Sequence, residues 1–229
     1  MIVIVKSSVF RTVHKARNSA IRPRPCAQLQ IVTFPCAPHL GAMTHHITTR
    51  GGLPPEMRSL LRDLPRDSWQ AHPAFARSIQ NWMGAHQMFR QLGEIVQRDS
   101  ETFLDKAMED GRYAGRLAQF GNLLVRNLHG HHTWEDREYF PELQAADPRF
   151  AAGLEMLEGD HEDLDALLDR FTRNANRVVQ LATLDPTQMA GEVGPVRDMA
   201  EQLNGFLHRH LTDEEDLVVP ILLHHRLRA

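Results

Sequence analysis

Cysteine is nearly missing from this chain. The only two, Cys26 and Cys36, fall before residue 50. The remainder therefore has no disulfide framework and no thiolate for a zinc site or an iron–sulfur cluster. Long apolar runs are missing too. None approaches the roughly 18 residues of a membrane-spanning helix, and the apolar start at residues 2–5 is too short for a secretory signal. A cytoplasmic protein without membrane contact is the expectation. Aromatic residues make up 7%, and β-branched runs are absent after residue 50, which argues against a sheet protein. Acid is absent from residues 1–50, which carry Lys6, Arg11, Lys15, Arg17, Arg22, Arg24 and Arg50. The rest is left with a net charge of −10. An acidic body excludes non-specific nucleic-acid binding, which needs Lys and Arg to neutralise phosphates.

Composition divides the chain into three parts. Residues 1–50 read as a basic, disordered leader, a transit-like presequence, or an upstream stretch from a misassigned start with Met43 or Met57 as the alternatives. Residues 51–72 read as a linker, opened by Gly51-Gly52 and Pro54-Pro55, with a short helix over 54–64. Residues 73–228 read as helical throughout. Apolar residues recur there at helical spacing: Phe75, Ile79, Trp82, Met83, Phe89, Leu92 and Val96 in a first helix over 73–108, with a possible break at Asp99-Ser100. A second helix, 112–145, carries Leu117, Phe120, Leu124 and Leu128. A third, 148–181, carries Phe150, Leu154, Leu157, Leu164 and Leu168. A connection over 185–195 leads to a fourth helix ending near 226, with Val196, Met199, Leu203, Phe206, Leu207, Leu217 and Ile221. Four such helices bury their stripes most simply as an all-α, antiparallel up-down-up-down four-helix bundle.

Histidine is the abundant oddity, at 14 residues. Each predicted helix sets one in its apolar stripe: His86, His131, His161 and His210. Two helices repeat a longer pattern. His131, Glu135 and Pro141 have the same spacing as His210, Glu214 and Pro220. A separation of four residues puts imidazole and carboxylate on one helix face. His132 with Asp136 has that spacing as well. His131 with Glu135 is preferred because its distance to proline matches the other repeat. His132, His129 and His208 are then read as supporting or surface residues. Asp165, four after His161, is read as an acceptor for an imidazole N–H. His45, His46, His72, His224 and His225 lie near chain or helix ends and are expected in solvent.

Burying an unpaired carboxylate costs several kcal/mol or forces it to take a proton. No Lys or Arg shares these stripes, so Glu135 and Glu214 among four imidazoles call for a cation. Imidazole and carboxylate without thiolate suit iron, manganese or zinc. Iron ranks first, because a zinc pair would serve hydrolysis and no substrate-binding groups for a hydrolase are evident. The order His-x3-Glu also differs from the Glu-x-x-His of ferritin-like sites.

At these residues the sequence resembles the hemerythrin-like, HHE cation-binding family. The resemblance covers about 73–226. It implies a four-helix bundle around two non-haem iron ions, held by His86, His131, Glu135, His161, His210 and Glu214. It further implies a small ligand, O2 or NO, bound or sensed at that centre. The alternative is a stress protein that reduces peroxide or NO, or supplies iron for iron–sulfur repair. In the O2-carrying members the third helix has a His-x3-His pair; here its second position is Asp165. Whether the chain is an enzyme stays open at this point.

Overall fold

The computed structural model describes residues 45–228. The expected leader lies almost entirely outside the described residues. The described residues are helical, with no strand among them. A short helix α1 (Ser59–Asp63) lies between 3-10 turns at Pro55–Met57 and Arg66–Ala71. Four long helices follow: α2 (Arg77–Leu104), α3 (Asp110–Trp134), α5 (Ala151–Leu184) and α6 (Pro186–His225). A π-helical turn, Glu135–Tyr139, joins α3 to the short α4 (Phe140–Ala146). α2 packs on α3 and α6, and α5 packs on the same two, so the long helices close a ring.

Three departures from the sequence reading have physical causes. α2 runs unbroken through Asp99-Ser100. Ser100 Oγ donates to the Val96 carbonyl at 2.8 Å and lies 2.8 Å from the Tyr113 hydroxyl, while Asp99 takes the Arg116 guanidinium. The polar pair is satisfied without leaving the helix. The expected connection over 185–195 is helix instead. Pro186 occupies the first turn, where a missing N–H costs nothing. Met189, Val193, Val196 and Ala200 continue the buried stripe through Pro195. Their packing against the bundle outweighs the lost backbone bond. The second predicted helix widens at Glu135. The Phe140 N–H reaches back five residues to the Glu135 carbonyl, directly before Pro141, which has no N–H to give.

The buried apolar residues form two clusters. One contains Phe89, Leu92, Leu124, Leu128, Leu164, Phe171, Leu203 and Leu207; the other contains Trp82, Phe140, Leu154, Leu157, Leu217 and Ile221. On every long helix a buried polar residue stands between the two: His86, His132, His161, and His210 with Glu214. Between these two clusters the core is thus crossed by a layer of buried imidazoles and carboxylates. Phe171 is completely buried far from that layer along α5. Phe171→Ala is expected to cost about 3–5 kcal/mol in denaturant unfolding.

Candidate metal centre

The polar layer gathers seven side chains into two groups. His86, His131, Glu135 and Glu214 form one; His132, His161 and His210 form the other. Within each group the candidate donor atoms lie within 4.8 Å of one another. All six residues singled out in the sequence are brought together, and His132 joins them. It is 3% exposed, not a surface residue. One helical turn achieves this. Successive residues project about 100° apart, so His131 and His132 splay to the two groups and Glu135 follows between them.

The distances are compatible with chelation of a metal ion. His86 Nε2 and His131 Nε2 are 3.0 Å apart, and His161 Nε2 and His210 Nε2 are 3.2 Å apart. Two nitrogens bound to one metal at about 2.1 Å and at right angles would lie about 3 Å apart. Both carboxylates span the groups. Glu135 lies 2.9 Å from His131 Nε2 and 3.9 Å from His161 Nε2. Glu214 lies 3.5 Å from His86 Nε2 and 3.8 Å from His210 Nε2. Trp82 Nε1 donates to Glu135 Oε1 at 2.7 Å and fixes that carboxylate from α2.

Three rings are held from outside by acids. His86 Nδ1 meets Glu215 Oε1 at 3.1 Å, His161 Nδ1 meets Asp136 Oδ1 at 2.7 Å, and His210 Nδ1 meets Asp160 Oδ2 at 3.0 Å. Placing the N–H on Nδ1 leaves each Nε2 lone pair facing the centre, the usual arrangement around metal-binding histidines. Asp136 therefore serves His161 and is not paired with His132. Asp165 does not hold His161; it faces His129 at 3.7 Å near the surface.

Without a cation the layer is badly satisfied. No donor or acceptor reaches His132 Nδ1 or Nε2, Glu135 Oε2, or either oxygen of Glu214. Burial pushes His86 down, His132 well below the ordinary imidazole range, and His210 down to about 4. Burial alone would raise Glu135, but His131 and the neighbouring imidazoles outweigh it and hold it at about 2. Glu214 is pushed well above the carboxyl range, first by burial and then by the charge on Glu135. Burial and the charge on Glu135 both favour the protonated form of Glu214. Clustered imidazoles, crowded carboxylates and orphaned polar atoms are the donor set a metal ion fits.

An all-helical bundle with a buried imidazole–carboxylate layer defines a class of metal-binding proteins. The chain belongs to the hemerythrin HHE cation-binding domain family, whose model matches residues 77–222. No curated protein and no solved structure matches the chain. Among the described residues, no helix is long and apolar enough to cross a membrane.

Proposed function

We propose that the chain is a non-haem di-iron protein that binds or senses O2 or NO. The observation carrying this reading is the buried layer of five imidazoles and two carboxylates, divided into two groups with both carboxylates between them. His86 and His131 would hold one iron and His132, His161 and His210 the other, with Glu135 and Glu214 supplying carboxylate oxygens from between the two groups. Iron is favoured because the resemblance to the hemerythrin family implies it; the nitrogen-rich donor set suits iron or zinc and argues only against manganese. Bound iron would supply electron exchange with such a ligand. We also read the four long helices as running up-down-up-down, since a one-residue link at Asp185 joins α5 to α6.

The protein's own contribution is enclosure and asymmetry. The side chains of His86, Glu135, His210 and Glu214 are fully buried, and His131 is the least enclosed ligand at 10% exposure. The group that His131 joins has two imidazoles against three in the other, so it leaves more room for an added ligand. Trp82 and Phe89 flank His131 and keep that approach apolar. Two surface cavities among the described residues, of about 920 and 650 Å3, are lined by none of the seven candidate ligands. This enclosure favours a diatomic ligand or peroxide over a larger substrate.

Metal analysis of the purified protein tests the reading. The wild type should contain about two irons per chain, and His131→Ala combined with Glu214→Ala should contain none. A wild type that is folded yet metal-free after anaerobic iron loading would remove the basis of the proposal. Catalytic consumption of peroxide or NO by the loaded protein would move it from a binding or sensing role to an enzymatic one.

A further inference from the structure

The family domain begins at residue 77, yet two arginines upstream of it reach the acids that hold the histidines. Arg50 is the more deeply placed. Its side chain is 4% exposed and lies between Asp160, also 4%, and Asp213, fully buried. Its Nη1 donates to Asp160 Oδ1 at 2.9 Å, its Nη2 to Asp160 Oδ2, and its Nε to Asp213 Oδ2 at 2.7 Å. Nη1 also donates to the His45 carbonyl at 2.8 Å, tying the guanidinium to its own segment. Asp160 Oδ2 is the acceptor for His210 Nδ1. A chain of direct contacts therefore runs from Arg50 through Asp160 to a candidate ligand.

Arg66 repeats the arrangement on the other side of the layer. It donates to Glu215 Oε2 at 2.9 Å, and Glu215 is the acceptor for His86 Nδ1. Glu215 also receives Arg90, and the Arg66 side chain is 41% exposed, so this contact is backed up and partly wet. Asp160 has Arg50 as its only guanidinium partner among the described residues. Planar, two-pronged donation fixes a carboxylate's orientation as well as its charge.

We infer that Arg50 is a positioning residue for the metal centre. It acts through Asp160 to hold the His210 ring with Nε2 toward the metal, so the centre extends upstream of the family domain. This inference rests on the metal-binding reading above. Without Arg50, Asp160 loses both of its bonds to that cation, and the His210 ring loses its fixed partner. Loss of a ligand's direct hydrogen-bond partner lowers metal affinity by about 10–100-fold, which sets the scale for disturbing Asp160 through Arg50.

The test uses the full chain with Arg50→Met, Arg50→Lys and Arg209→Met. Arg209 also binds Asp213, and it holds the Gly51 carbonyl beside Arg50, but it does not touch Asp160, so it controls for loss of the Asp213 pair and of the segment's anchoring. Two quantities are read: Fe(II) affinity by chelator competition, and the His210 tautomer in the metal-free protein by 15N NMR. Arg50→Met should weaken affinity by about 10–100-fold and turn a single His210 Nδ1–H tautomer into a mixture. Arg50→Lys, which keeps the charge but not the two-pronged contact, should fall between. Arg209→Met should change neither. Unchanged affinity and tautomer in Arg50→Met would overturn the inference, as would an equal loss in Arg209→Met. If Arg50→Met does not fold, Arg50→Lys decides by the same readouts. A wild type that binds no metal would defeat the di-iron reading, while the His210 tautomer would still report whether Arg50 governs that ring.

Discussion

Glu214→Gln is expected to make the metal-free protein more stable at pH 7 and to destroy its metal binding. Glu214 is fully buried, and no donor reaches either of its oxygens. Burial and the charge on Glu135 push it well above the carboxyl range. In the unfolded chain the same group ionises near its ordinary value of about 4.3. The sign follows from proton linkage. Between that value and its raised folded one, folding must place a proton on Glu214, and the cost grows as pH rises. Below the unfolded value both states are protonated and the cost vanishes. Glutamine has the shape of the protonated acid and needs no proton. The variant should therefore gain about 1–3 kcal/mol at pH 7, the scale of a buried, poorly satisfied polar group, and nothing near pH 4. Denaturant unfolding of both metal-free proteins at the two pH values measures this. A variant no more stable than the wild type at pH 7 would show that the buried carboxyl is not under strain. Metal binding should fail because a neutral amide replaces one of the two anionic groups that face both halves of the centre. Such an exchange, stability gained as function is lost, is expected where a site is built from groups that suit a ligand better than they suit each other.

Much of this was legible in the sequence because one period carried it. The stripe on α5 from Leu154 to Leu168 is buried as its spacing predicts, with His161 in its line. His86 and His210 were recognisable in the same way, as polar residues where the period demands apolar ones. The repeat of His, Glu and Pro on two helices then singled out the carboxylates. Periodicity cannot choose between adjacent residues, however. His131 and His132 straddle the inward direction, and the proline match favoured one although the bundle admits both. The outer acids were missed for a related reason. Asp136, Asp160 and Glu215 each sit directly beside a candidate ligand in sequence, so each projects toward a neighbouring helix. Their partners His161, His210 and His86 belong to other helices, and only packing reveals the pairs. Arg50 carried no signal at all. It ends a basic segment that reads as solvated, and the reason for its burial lies in Asp160 and Asp213, more than a hundred residues away in sequence.

His132→Phe is expected to halve the metal content. The His132 ring stacks on His161, with centroids 4.0 Å apart and planes within 9°. That contact alone would be served by any flat ring, so stacking is the competing explanation for its burial. Phenylalanine keeps the ring and its packing but removes both nitrogens. If His132 is a ligand, its group is cut from three imidazoles to two, and iron should fall from about two to about one per chain. The remaining iron would be held by His86, His131 and the two carboxylates. If His132 is only a packing partner, the variant should keep both irons and become more stable, because two buried nitrogens without partners have been replaced by apolar surface. His129→Phe is the matched control on the same helix, since His129 lies near the surface beside Asp165. The outcome also bears on how the chain compares with its family. The O2-carrying pattern takes its fifth imidazole from the helix corresponding to α5, where this chain has Asp165. A lost iron in His132→Phe would mean that the same count of five is reached from α3, by placing two adjacent histidines on either side of one carboxylate.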